Sequence, residues 1–139
     1  MSSSGPDTTQ DMFKIAQNFY LRYDPTVPCL IMVWRGYHPS AVFRARNAEV
    51  LGALARHRAT KLLCDIRYFL LIAAADQDWL NNDWLPRAME AGLRQCAIVS
   101  PIYFFNRVAV QTVVDRIASA LQVEYFDSPE AGLNWLRGK

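Results

Sequence analysis

The chain reads as one α/β domain: a mixed sheet of about five strands, opened by an antiparallel hairpin and packed with about four helices. Three observations predict it. Short apolar runs recur at Cys29 to Trp34, Lys61 to Ile66, Cys96 to Ser100 and Val123 to Phe126. Such runs suit strands covered on both faces. Stretches with helical spacing separate and follow them, which implies parallel pairing through right-handed crossovers. The 139 residues, 52% hydrophobic and 20% charged, are enough for one core without disulfide or metal support.

Residues 1–10, polar and rich in Ser and Thr, read as a loose tail, and residues 11–139 as the domain. Phe13 to Tyr23 alternates as a first strand, with Phe19, Leu21 and Tyr23 on one face and Tyr20 and Arg22 on the other. Asp24-Pro25-Thr26 is a turn signal, so Cys29 to Trp34 folds back as the second arm of the hairpin. Gly36 and Pro39 end that strand. Ser40 is placed to cap a helix running to about Arg58, with Phe43, Val50, Leu51 and Leu54 as its apolar stripe. After the Lys61 strand, Phe69 to Ala75 reads as an apolar loop, and Asp76-Gln77-Asp78 suits a helix start. The helical stretch from Asp76 to Arg94 contains Pro86, which predicts either one bent helix or two short ones. Asn106 is placed to cap a helix with Val110, Val113, Val114, Ile117 and Leu121 on its apolar face. Ser128-Pro129-Glu130 reads as N-cap, first-turn proline and first-turn acid of a last helix, whose Leu133 and Leu136 dock on the sheet.

Several function classes lose support. The formal net charge is only +2 and the arginines are scattered, so the basic stripe of a nucleic-acid binder is missing. Cys29, Cys64 and Cys96 are odd in number and fit no zinc spacing. They read as buried, reduced thiols acting as small hydrophobes, which suits a reducing compartment and a cytoplasmic protein. No secretory signal and no apolar stretch of bilayer length is present. A Gly-rich phosphate loop, a nucleophile elbow and a metal-ligand pattern are also missing, so the reading is neither an enzyme nor a cofactor or metal protein.

The order β-β-α-β-α-β-α-β-α carries further marks. These are Trp34-Arg35-Gly36 at the end of the hairpin, Leu63-Cys64-Asp65-Ile66-Arg67 at the next strand end, and the trailing Asp78-Trp79. Ala97-Ile98-Val99-Ser100-Pro101 and the closing Phe126-Asp127-Ser128-Pro129-Glu130-Ala131 with Trp135-Leu136 complete them. In these the chain resembles the SpoIIAA-like proteins, a bacterial branch of the STAS/Sec14-like group, over nearly everything after the tail. The resemblance implies a STAS-like βα superhelix and a regulatory or protein-binding module. One departure matters. STAS-type antagonists carry a phosphorylatable serine just after the strand ending in Asp, whereas here no Ser or Thr occurs between Thr60 and Ser100. The phospho-switch therefore does not carry over.

The candidate site residues each have two readings. Asp65 and Arg67, two apart on a strand, share a face, either as the mouth of a site with Arg67 gripping an anion or as a structural ion pair. Trp34, Tyr37 and His38 end a neighbouring strand and line a pocket with Arg67 if the two strands are parallel. His38 is otherwise an ordinary loop histidine. Trp79 and Trp84 are interface anchors or core. Tyr103, in an aromatic segment before a helix, stacks on a ligand or packs at the sheet edge. Two functional expectations follow. One is a self-associating interaction domain, a homodimer joined through the Phe69–Trp84 region or Tyr103–Phe105, with a regulatory protein as partner. The alternative is a Sec14-like binder of a small apolar or amphipathic ligand, with Arg67 and Tyr37 at its polar end.

Overall fold

Six strands lie side by side in the order in which the chain makes them. The computed structural model describes residues 12–16, 18–70, 72–102, 104–116 and 121–138. The expected tail and the site candidate Tyr103 fall outside them. Strand β1 (Met12–Ala16) pairs antiparallel with β2 (Phe19–Asp24), and β2 pairs antiparallel with β3 (Cys29–Gly36). From there the sheet is parallel: β3 with β4 (Lys61–Phe69), β4 with β5 (Gln95–Val99), and β5 with β6 (Gln122–Phe126). The expected α/β mixed sheet with its leading hairpin is therefore present. The stretch from Phe13 to Tyr23, read as one strand, is two. The reversal between Ala16 and Phe19 contains neither Gly nor Pro, so nothing in the sequence punctuates it.

The sheet has two unequal coverings. On one face lie α1 (Ser40–His57), α2 (Ala74–Trp79), a π-helical segment (Leu80–Trp84), α3 (Leu85–Glu90) and α4 (Phe104–Asp115). Their Phe43, Val50, Leu54, Trp84, Ala88 and Val110 join Phe19, Leu30, Trp34, Leu62 and Ile66 of the strands in the larger core. On the other face α5 (Pro129–Leu136) packs over β4, β5 and β6, with Leu136 against Leu63, Ala97 and Val99. No helix among the described residues is long and apolar enough to cross a membrane.

Local chemistry explains most of the element ends. The Ser128 hydroxyl accepts from the Ala131 N–H at 3.2 Å and Pro129 opens α5, as the sequence predicts. Two expected caps are not used. Pro39 precedes α1, and the Ser40 hydroxyl instead donates to Asp76 at 2.6 Å. Asn106 is the third residue of α4, which starts at Phe104. Around Pro86 the chain takes the second expected course, two short α-helices with Pro86 in the first turn of the second, joined by a π-helical turn. The helical run stays continuous from Ala74 to Glu90 but widens to a π-helix over Leu80–Trp84. Pro86 has no N–H to donate back to residue 82, and its ring crowds that carbonyl. The wider turn absorbs both defects.

Candidate functional site

The strand end around Asp65 is built by a bulge. Val33 pairs with Asp65, yet Arg35 pairs with Tyr68, so β4 carries one residue more than β3 between these points. Strict alternation puts Phe69 on the same face as Asp65. The extra residue reverses that parity and returns Phe69 to the larger core beside Trp34 and Phe43. The expected apolar loop from Phe69 is therefore partly strand and core. Asp65 lies on the opposite face from Cys64 and Ile66, 5% exposed, and accepts from Arg67 Nε at 3.0 Å and Arg67 Nη2 at 2.8 Å. This two-point contact holds the guanidinium in one orientation. These hydrogen bonds to Asp65 raise the Arg67 pKa further above its ordinary value.

Arg67 borders a crevice of about 230 Å³ where β4, β5 and β6 end, lined also by Ser100, Pro101, Ile102, Arg107 and Asp127. Backbone bonds pin its walls: Ile102 N–H donates to the Arg67 carbonyl at 3.1 Å and Ser100 N–H to the Phe126 carbonyl at 2.9 Å. Arg107 Nε donates to the Pro101 carbonyl at 2.9 Å. The carboxyl ends of parallel strands are where open α/β sheets build sites.

A second space lies on the other face, between the sheet and the helices. It measures about 110 Å³ and is lined by Trp34, Cys64 and Ile66 of the strands, by Asn47 of α1, by Leu80 and Trp84 of the π segment and by Val113 and Val114 of α4, among others. Engineered apolar voids of about 150 Å³ stay dry and take up benzene-sized molecules. The Trp84 indole donates to the Asn47 carbonyl at 2.6 Å, which fixes the π segment to α1 at the chamber wall.

The site candidates thus separate into distinct places. Trp34 and Trp84 are buried and line the apolar chamber. Asp65 and Arg67 sit on the other side of the sheet, so Arg67 does not line that chamber and cannot hold the polar end of a ligand there. Strands β3 and β4 are parallel, as required for Tyr37 and His38 to share an edge with Arg67. Tyr37 is 60% exposed at that edge. His38 turns inward, 4% exposed, with its Nε2 at 3.0 Å from the Arg35 carbonyl and its ring edge-on to Trp34 and Phe69. Its burial, assisted by the Arg46 charge, lowers its pKa against the opposing bonds to the Arg35 and Asn18 backbones. It is a core histidine. Trp79 is half-buried under the Arg44 guanidinium and against Phe43. Phe69 and Trp84, the two ends of the Phe69–Trp84 region, are core, while Leu70 between them is exposed.

The three cysteines are free, and burial pushes the Cys29 and Cys96 thiols up to about 12 and Cys64 well above its ordinary value. They are poor nucleophiles. Among the described residues no cluster of three metal-ligating side chains occurs. Asp76, expected only as a helix-start acid, is buried and accepts from both Ser40 and Arg44, locking α2 to α1. Ser100, Arg107 and Asp127 were not singled out by their sequence context, because each belongs to a different loop or helix and only the strand ends bring them together. Compared with protein-family models, curated proteins and solved structures, the chain matches none of them.

Proposed function

We propose that this protein is a non-enzymatic binding domain of STAS-like type that seats a small apolar ligand in the chamber between its sheet and its helices. The observation that carries the reading is the void of about 110 Å³, with its almost wholly apolar lining, bordered by a π-helical segment. Such segments are rare and concentrate at functional sites. Apolar lining open to water is unfavourable, and a ligand of matching shape covers it. The buried, unreactive thiols favour binding over cysteine-based catalysis. The unpaired thiols also support a reducing, cytoplasmic setting.

Toluene is a suitable probe. At ten times its dissociation constant it should raise the unfolding midpoint by roughly 4 °C. Val114→Phe, which fills the chamber from α4, should abolish that shift while leaving the fold intact. A wild-type midpoint unmoved by toluene, benzene and cyclohexane, or an equal shift in Val114→Phe, would overturn the proposal.

Self-association is the second reading, through a strand-end edge that includes Leu70 of the region first expected. Tyr37, Tyr68, Leu70 and Ile102 are all exposed along the edge where β3, β4 and β5 end. Backbone bonds hold Leu70 beside Gly36 and Ile102 beside Arg67, at neighbouring strand ends. Apolar surface gathered at one edge favours a partner. Light scattering that gives the monomer mass at high concentration would remove a homodimer.

A further inference from the structure

The crevice at the ends of β4, β5 and β6 holds opposite charges that do not satisfy one another. Arg67 lines the crevice, and its two bonds to Asp65 leave further N–H donors on the guanidinium. Among the described residues Arg107 uses only Nε, on the Pro101 carbonyl. Across from them Asp127 makes no ion pair or hydrogen bond among the described residues, and neither does the Ser100 hydroxyl. Two guanidinium groups and one carboxylate therefore line a space of about 230 Å³, with Pro101 and Ile102 as an apolar wall.

Three simple occupants fit this arrangement poorly. A divalent cation meets the two guanidinium groups. A phosphate meets Asp127, and Glu130 lies close enough to act on Arg67 as well. A purely apolar molecule leaves the donors and the carboxylate without partners. What matches all of the groups is a small molecule with an anionic end and a cationic end a few atoms apart. We propose that this crevice binds a free α-amino acid. Its carboxylate is held by Arg67 and Arg107 with help from the Ser100 hydroxyl, its ammonium by Asp127, and its side chain lies along Pro101 and Ile102. Asp65 acts as a positioning residue, since its two-point contact fixes the Arg67 fork before the ligand arrives. The crevice lies at the strand ends and shares no lining residue with the apolar chamber, so it stands or falls independently of the proposal made for that space.

The test is a nuclear magnetic resonance titration of the full chain with a panel of amino acids. Each is matched by its N-acetyl form, which lacks the ammonium, and its amide, which lacks the carboxylate. At least one amino acid should shift the amides around Ser100, Ile102 and Asp127. Its two blocked forms should bind at least tenfold more weakly, as expected for loss of a charge-assisted contact. Asp127→Asn should weaken the amino acid but not its N-acetyl form, and Arg107→Ala should weaken both. These two side chains are exposed, so both variants should fold as the wild type does. Equal binding of the amino acid and its N-acetyl form would overturn the proposal, as would binding of inorganic phosphate in preference to every amino acid. No shift across the panel at millimolar concentration would do the same.

Discussion

Asp65 and Arg67 form an asymmetric pair, and the asymmetry decides what each contributes. The Asp65 side chain is 7% exposed and that of Arg67 28% exposed. Removing the arginine strands a carboxylate out of water, whereas removing the acid leaves a guanidinium that can turn toward solvent. Arg67→Ala should therefore cost about 2 kcal/mol, less than a fully buried pair because the arginine is partly solvated. Asp65→Ala should cost about 1 kcal/mol. Urea unfolding of both single variants and the double variant checks this. If the double variant equals the sum of the singles, the two groups are not coupled. His38 gives a second residue-scale prediction. Burial depresses its folded pKa, so on acidification the unfolded chain takes up the proton first. Its contribution to stability is whole above about pH 6.5 and is lost as pH falls toward the folded value. The urea midpoint should fall over that window, and His38→Gln should flatten that part of the profile. The spacing of Asp65 and Arg67 was enough to predict their pairing. The inward turn of His38 was not legible, because it depends on Trp34 and Phe69, brought together by strand pairing.

The elements were legible where a local chemical signal marks them. Ser128 and Pro129 start α5 as read, and the Asp24 carboxylate accepts from the Thr26 N–H and hydroxyl at 2.9 and 2.7 Å in the expected turn. They were illegible where the signal is a count. One extra residue in β4 reverses which side chains face the core, and no residue type announces it. The π segment is similar: Pro86 says that a hydrogen bond is lost but not how the backbone absorbs the loss. The seating of α5 offers the test at this scale. A Cβ on Gly132 would lie 2.7 Å from a Leu63 methyl and 3.3 Å from the Ala97 Cβ. The methyl can swing aside, but the Ala97 carbon is fixed to its strand. Gly132→Val should cost about 1–3 kcal/mol through overpacking. Gly132→Ala should cost less, because about 1 kcal/mol of helix propensity is regained. Thermal unfolding of the two variants checks the order, and a Val variant as stable as wild type would show that α5 does not sit this closely.

Across the whole molecule, two cores share one sheet. Leu30, Met32, Leu62 and Ile98 face the larger cluster, while Cys29, Ile31, Leu63 and Ala97 on the same strands face the smaller. Neither layer can lose its strands without exposing the other, so unfolding should be a single cooperative transition. Trp34 and Trp84 report on one face and Trp135 on the other. Denaturant curves followed by tryptophan emission and by far-ultraviolet circular dichroism should therefore superimpose. Separate midpoints would mean that the layers melt independently.

The sequence by itself determined the α/β class, the alternation of strands and helices, and the strand that ends in Asp65 and Arg67. Hydrophobic period, turn residues and caps are local, and each can be read within a few neighbouring positions. Only the tertiary structure decided which face of the sheet each side chain serves. It placed Trp34 and Trp84 around an apolar chamber and sent His38 into the core. It also carried Ser100, Arg107 and Asp127 to one crevice with Arg67. Those outcomes depend on register, on a single bulged residue and on the meeting of parallel strand ends, and such non-local facts leave no mark on the spacing of residues along the chain.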